Sequence, residues 1–200
     1  MVLVTRQAPD FTAAAILGSG KIINNFNFKN YIKGQHAIIF FWPMDFTFVC
    51  PSELIAFDKR YLEFQKRRVK IVGVSCDSEF VHNAWRLVPP DKGGINQVQY
   101  PMVADVKREI IKAYDIEHPD IGVALRASFL IDKDGIVRHQ IVNDLPLGRN
   151  IDDIIRMVDA LQFNEEHGLV CPAQWEKGQD GITATTEGVA KYLAKNVSKL

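Results

Sequence analysis

The chain has 200 residues, of which 47% are hydrophobic, so it is long enough to bury the core of one domain. Lysine plus arginine and aspartate plus glutamate both number 24, which gives a formal net charge of zero. That balance argues against a nucleic-acid-binding protein and against a polybasic membrane-surface protein.

The N-terminal residues and the longest apolar stretch bear on export and membrane insertion. Residues 1–11 include Arg6 and Asp10 and contain no apolar run long enough for a signal peptide. The apolar stretch at 37–43 is too short to span a bilayer. We therefore expect a cytoplasmic protein that has no membrane partner.

The first half of the chain predicts a parallel strand–helix–strand unit. Residues 35–43 form a continuous apolar run, which is typical of a central strand covered on both faces. Apolar residues at spacings of three and four predict a helix over 51–65. A second buried strand is predicted at 69–75 and a second helix at 78–88. A connection of this length implies parallel pairing with a right-handed crossover.

The second half predicts an antiparallel hairpin followed by a helix. Two β-rich runs, 123–131 and 136–142, flank the turn signal Asp-Lys-Asp-Gly at 132–135. Asn150 is suited to cap a helix that buries a stripe of aliphatic residues. The order of parallel unit, hairpin and helix predicts an α/β thioredoxin-like fold with a central mixed sheet.

The last part of the chain differs in composition from the rest. Glycine and proline punctuate it, and only one short helix is predicted, at 187–196. We therefore expect one domain over 1–163 and a C-terminal tail over 164–200.

The three cysteines are the candidates for chemistry, and they are Cys50, Cys76 and Cys171. An odd count without a C-x-x-C pair is a poor disulfide framework. The five histidines show no spacing typical of zinc ligands, so no metal is expected. Cys76 ends an apolar strand, and we interpret it as a packing residue.

Cys50 lies where the first predicted strand leads into the first long helix. Pro51 suits the first helical position, because proline lacks the N–H that would be unsatisfied there. Cys50 then lies at or beside the N-cap, where free N–H groups and the helix dipole favour an anion such as a thiolate. Glu53 occupies the place where a thioredoxin-type reductase has its second cysteine. An oxidised Cys50 must therefore pair with a distant thiol.

Several motifs resemble those of one family, the typical two-cysteine peroxiredoxins, which include the alkyl hydroperoxide reductase C and thiol-specific antioxidant proteins. The segment 41–53 (FWPMDFTFVCPSE) resembles the family's active-site signature. The further matching segments are A-P-D-F at 8–11, V-S-C-D-S at 74–78, D-L-P-L-G-R at 144–149 and E-H-G-L-V-C-P-A at 166–173.

The resemblance implies a role for each residue of an active site. Cys50 would be the peroxidatic cysteine, which attacks the hydroperoxide and becomes a sulfenic acid. Pro43 would shield the site, and the Thr47 hydroxyl would accept from and donate to the reacting pair. Arg126 would hold the thiolate and polarise the peroxide.

The same resemblance implies how the site is supported and regenerated. Glu53 and Arg149 would orient the cluster, and Cys171 would resolve the sulfenic acid as a disulfide between two subunits. The implied partners are a second copy in a homodimer, a ring of five dimers, and thioredoxin or a dedicated flavoprotein disulfide reductase. The chain itself would need no metal, flavin or nicotinamide.

Three other functions use some of the same residues. A redox relay or chaperone-like assembly could use the same disulfide, and sequence does not separate it from a peroxidase. A thioredoxin-type disulfide reductase is disfavoured by the absence of C-x-x-C. A one-cysteine peroxidase is disfavoured by the V-C-P motif at Cys171.

Overall fold

The computed structural model describes residues 1–199. These residues divide into two compact units, the first comprising Met1–Ile151 and the second beginning at Asp152. None of the helices in the described residues is long and apolar enough to cross a membrane.

The first unit is built on one mixed seven-stranded sheet with the order β2-β1-β5-β4-β3-β6-β7. The strands are β1 Thr12–Ile16, β2 Ile22–Asn27, β3 His36–Phe41, β4 Val69–Ser75, β5 Met102–Ala104, β6 Arg126–Ile131 and β7 Val137–Asn143. β4 pairs in parallel with both β3 and β5, and the other neighbours are antiparallel. The predicted parallel unit, hairpin and thioredoxin-like α/β fold are confirmed.

Five helices belong to this unit, and they are α1 Phe28–Ile32, α2 Cys50–Lys59, α3 Tyr61–Lys66, α4 Glu79–Arg86 and α5 Glu109–Ala113. The single helix predicted over 51–65 is wrong, because the chain bends at Arg60, which ends α2 and precedes α3. The helix predicted over 78–88 is α4, and the Ser78 hydroxyl caps it by accepting from the N–H of Val81 at 3.3 Å.

The core of the first unit is centred on β3, whose six residues are all buried. A strand without alternation has this burial when it lies inside a sheet whose two faces are both covered. Gly73 of β4 allows the close approach of two rings, since a Cβ there would lie 2.8 Å from Trp42 and 2.9 Å from Phe40. Trp42 is the first residue after β3, so this packing fixes the start of the loop that leads to Cys50.

The register of the sheet determines which side chains meet at the end of β3. Phe40 pairs with Ser128 of the antiparallel strand β6, so the first residue of β6, Arg126, lies beside the exit of β3. Arg126 also pairs with Asn143, the last residue of β7. The loop after β7 therefore starts next to the loop after β3.

The second unit contains α6, Ile151–His167, except for its first residue, and α7, Thr186–Asn196. Trp175 is buried, and its ring lies 4.9 Å from that of Phe163. The segments after α6 meet in a β-bridge between Val170 and Ile182. The predicted boundary between 163 and 164 falls inside α6, and the division of roles between domain and tail stays a prediction.

Candidate active site

Cys50 is the first residue of α2, and its side chain is fully buried. Pro51 is therefore the second helical residue rather than the first, because Val49 has a right-handed helical conformation and the helix starts one residue earlier. The carbonyl of Val49 accepts from the N–H of Ser52 at 3.1 Å and that of Glu53 at 3.4 Å. Cys50 thus lies beside the positive end of a ten-residue helix.

The hydroxyl of Thr47 faces the sulfur of Cys50. Its Oγ1 lies 2.9 Å from the Cys50 Sγ and 2.8 Å from the carbonyl oxygen of Met44. A hydroxyl has one proton, and a carbonyl only accepts. Thr47 can therefore donate to Met44 while it accepts from a thiol, or donate to the sulfur once the sulfur is a thiolate.

The guanidinium of Arg126 is the second donor group at the sulfur. Its Nη1 lies 3.3 Å from the Cys50 Sγ and donates at 2.8 Å to Oε2 of Glu53. Its Nε donates at 2.5 Å to the carbonyl of Leu145, in the loop after β7. Arg126 is almost completely buried, so its charge acts on the sulfur with little screening by water.

Arg149 holds the carboxylate of Glu53 from the opposite side. Its Nε and Nη2 donate to the two carboxylate oxygens at 2.8 and 2.9 Å, and its backbone N–H donates to Oε1 at 2.9 Å. Its Nη1 donates to the carbonyl of Ala127 and to the hydroxyl of Ser128 on β6. Burial acts to raise the pKa of Glu53, but the contacts with Arg149 and Arg126 lower it below its usual value.

The charges of this cluster favour a negative sulfur. Two guanidinium groups and one carboxylate leave a net charge of one positive unit beside Cys50. An uncompensated charge in a buried place is costly, and a thiolate neutralises it. The arrangement can therefore hold a nucleophilic sulfur and stabilise an oxyanion that leaves next to it.

The structure brings together five of the seven predicted site residues: Thr47, Cys50, Glu53, Arg126 and Arg149. Pro43 is buried at the start of the same loop. Cys171 belongs to the second unit, where its Sγ lies 3.4 Å from the carbonyl of Ala160 and is partly buried. Burial raises the pKa of Cys171, so its thiol keeps its proton while it is packed this way.

The sequence analysis missed a buried network that anchors the Cys50 loop. Asp45 accepts from the indole N–H of Trp42 at 2.8 Å, and its other oxygen lies 2.7 Å from Nδ1 of His82 on α4. The backbone N–H of Asp45 donates to Asp77 at 2.9 Å. Burial raises the pKa of Asp45. Charged and polar residues within an otherwise apolar stretch were the available signal.

The same network includes the one group of side chains in the described residues that could hold a metal ion. The ligand atoms of Asp45, Asp77 and His82 lie within 4.8 Å of one another. Asp45 already binds Trp42 and His82, and Asp77 accepts from the Ser75 hydroxyl, so we assign the group to hydrogen bonding.

Cys76 lies in a different environment from Cys50. It packs at the edge of the core, and burial, with the nearby carboxylate of Asp105, raises its pKa to about 11. Its thiol is therefore protonated at neutral pH and a poor nucleophile.

Comparisons with known proteins identify the family of the chain. A profile of the AhpC/TSA family matches residues 4–140, and a profile of the C-terminal domain of 1-Cys peroxiredoxin matches residues 160–195, which include Cys171. Alkyl hydroperoxide reductase C of Buchnera aphidicola (subsp. Schizaphis graminum) is 60% identical over 198 residues, which are 99% of this chain and 100% of that protein. Alkyl hydroperoxide reductase C of Helicobacter pylori is 54% identical over 199 residues, which are 100% of both.

A solved structure extends the comparison to the fold. The reduced 2-Cys peroxiredoxin of Plasmodium vivax has a TM-score of 0.93 and 42% identity, covering 98% of this chain and 100% of that one. These relatives and this fold define the chain as a peroxidase. The chain belongs to the AhpC/TSA family. The predicted family and the predicted enzyme class, a peroxidase, are thereby confirmed.

The lowered pKa of Glu53 makes the stability of the fold depend on pH. The folded-state pKa of Glu53 lies below its unfolded value. Its contribution to the free energy of unfolding is therefore fully present above pH about 4.3 and is lost as the pH falls through the folded-state pKa. Glu53→Gln leaves two buried guanidinium groups uncompensated. We therefore expect the free energy of unfolding at neutral pH to fall by about 3–5 kcal/mol. The difference in the free energy of unfolding between the variant and the parent protein should become smaller at acid pH. Urea unfolding at a series of pH values measures this difference.

The half-buried Glu63 provides the control for this variant. It pairs with Lys66 and Arg67 on the surface of α3, so Glu63→Gln should change the stability little at any pH. If the stability difference between Glu53→Gln and the parent protein stays constant from neutral to acid pH, Glu53 is not the ionised carboxylate described above.

Proposed function

We propose that this peroxidase reduces hydrogen peroxide and organic hydroperoxides through a sulfenic acid at Cys50. The observation that carries the proposal is the pair of donors at the buried sulfur, the Thr47 hydroxyl at 2.9 Å and the Arg126 guanidinium at 3.3 Å. Both are placed to stabilise a thiolate and to bind an oxygen of a peroxide that approaches it.

The reaction needs only the sulfur and these donors. The thiolate attacks one peroxide oxygen, the S–O bond forms as the O–O bond breaks, and the sulfur is oxidised by two electrons. The other oxygen leaves as an alkoxide or hydroxide, which takes up a proton and departs as an alcohol or water. The product at Cys50 is a sulfenic acid.

The supporting residues keep this geometry fixed before the peroxide arrives. Arg149 holds the carboxylate of Glu53, and this carboxylate in turn orients the Arg126 guanidinium. Pro43, buried at the start of the loop, would limit the access of water to the sulfur. We propose both roles on these contacts and on the family resemblance.

The second half of the cycle would use Cys171. Its thiol attacks the sulfenic sulfur of Cys50, a disulfide forms and water leaves. We propose that the two cysteines belong to different subunits of a homodimer and that five dimers form a ring. The C-terminal tail, 164–200, would carry this resolving cysteine.

Regeneration would need an external dithiol. We propose thioredoxin or a flavoprotein disulfide reductase as the reductant, since reduction of the disulfide requires two electrons that the chain does not supply. Cytoplasmic location stays a prediction.

The role of the Thr47 hydroxyl can be isolated by a near-isosteric change. Thr47→Val removes the donor and keeps the volume, so we expect the rate constant for oxidation of Cys50 by hydrogen peroxide to fall by about 100-fold or more. Thr47→Ser keeps a hydroxyl and should retain most of the rate. Stopped-flow measurement under single-turnover conditions checks both, and equal rates for the two variants would contradict the role.

The roles of the cysteines can be separated by serine substitutions. Cys50→Ser should abolish peroxidase activity, because a hydroxyl is not ionised near neutral pH. Cys171→Ser should complete one turnover but lose recycling by thioredoxin. Cys76→Ser is the control, and because the Cys76 thiol is protonated at neutral pH it should leave turnover unchanged.

The oxidised proteins should differ in non-reducing electrophoresis. The parent protein and Cys76→Ser should run as dimers that reductant converts to monomers, while Cys50→Ser and Cys171→Ser should stay monomeric. A monomeric band for the oxidised parent protein would refute a disulfide between subunits. Substantial residual turnover in Cys50→Ser would refute the assignment of the nucleophile.

A further inference from the structure

A short segment before β5, residues 98–100, binds the helix that carries Cys50. The hydroxyl of Tyr100 donates to the carbonyl of Leu54 on α2 at 2.8 Å. The backbone N–H of Gln99 donates to the carboxylate of Asp58 on α2, also at 2.8 Å. Tyr100 is completely buried, and burial raises its pKa well above the usual value, so its hydroxyl stays a donor at all physiological pH values.

The other side of this segment is fixed to the rest of the sheet. The buried guanidinium of Arg86 donates to the carbonyl of Val98 at 3.0 Å and to the carbonyls of Leu17 and Gly18 in the turn between β1 and β2. Gly18 packs so tightly against Gln99 that a Cβ there would collide with the Gln99 carbonyl. The segment is therefore a fixed support for α2.

Leu54 is the residue through which this support reaches Cys50. In an α-helix the N–H of residue 54 bonds to the carbonyl of residue 50, so opening of the first turn of α2 breaks this bond at Leu54, the residue that closes the turn. Tyr100 holds the carbonyl of that same residue. The Cys50 sulfur is fully buried, whereas a disulfide requires two sulfurs about 2 Å apart. The first turn of α2 must therefore open before another thiol can reach Cys50.

We propose that Tyr100 is a positioning residue that sets how readily the first turn of α2 opens. This inference rests on the proposed roles of Cys50 and Cys171. In the closed helix a sulfenic acid at Cys50 is out of reach of a thiol, and a second peroxide can oxidise it to a sulfinic acid. In the open helix it condenses with Cys171. By holding the helix closed, the Tyr100 hydroxyl favours the sulfinic acid over the disulfide.

Tyr100→Phe tests this role with the smallest change available. It removes the hydroxyl and keeps the ring, which packs edge-on against Phe40 with the ring centroids 5.4 Å apart. We expect disulfide formation to accelerate about fivefold, which corresponds to one hydrogen bond of about 1 kcal/mol. The rate of the first oxidation of Cys50 should not change, because the closed site keeps Thr47 and Arg126. The sulfinic fraction at a given peroxide concentration should fall.

Tyr114→Phe is the matched control. Tyr114 is also fully buried, and its hydroxyl donates at 3.0 Å to the carbonyl of Pro9, which is not on α2. This variant loses the same kind of bond, so it should affect the stability of the fold but leave the rate of disulfide formation at the parent value. Rapid quenching with an alkylating agent, followed by mass spectrometry, measures the thiol, disulfide and sulfinic forms of Cys50 in each variant.

The outcomes separate this inference from the proposed function. If the parent protein forms no disulfide between Cys50 and Cys171, the proposed function fails before any variant is compared. If it does form, and Tyr100→Phe forms it no faster than Tyr114→Phe, the role of Tyr100 is refuted. Should Tyr100→Phe not fold, Asp58→Ala, which removes the neighbouring contact with Gln99, must accelerate disulfide formation for the inference to stand.

Discussion

The candidate active site depends on a buried carboxylate, that of Glu53, bound between two arginines. Without it, the guanidinium groups of Arg126 and Arg149 would repel each other in a place from which water is excluded. With it, one positive charge remains, and the Arg126 guanidinium is held against the Cys50 sulfur. Because Glu53 lies one helical turn after Cys50, the same helix supplies the proposed nucleophile and the carboxylate that binds the Arg126 guanidinium beside it.

The sheet brings these residues together from distant parts of the sequence. The antiparallel pairing of β3 with β6 places Arg126 beside the loop that leads to Cys50, and the return of the chain after β7 places Arg149 beside both. Glu53 and Arg149 are 96 positions apart in the sequence, yet they share three hydrogen bonds. The fixed register of a hydrophobic sheet therefore permits a buried ionic cluster at the ends of its inner strands β3 and β6.

Sequence patterns predicted the strands that are apolar and buried along their whole length. β3 and β4 are apolar throughout, but β1 is rich in alanine and β5 has three residues, and both become strands only through their neighbours. Nothing in the apolar spacing marks the bend at Arg60. The motifs identified the site residues through the resemblance, whereas the Asp45–His82 contact and the Tyr100–Leu54 bond depend on tertiary placement that no local pattern encodes.

The central claim is that the charge of Arg126 at the Cys50 sulfur drives the reaction with peroxide. The most direct test is the single-turnover rate constant for oxidation of Cys50 by hydrogen peroxide in Arg126→Gln, with Arg138→Gln on β7 as the control. The structure predicts a decrease of about 100-fold or more for Arg126→Gln and none for Arg138→Gln, with both variants folded by circular dichroism. A folded Arg126→Gln protein that reacts within a factor of about two of the parent would contradict the claim.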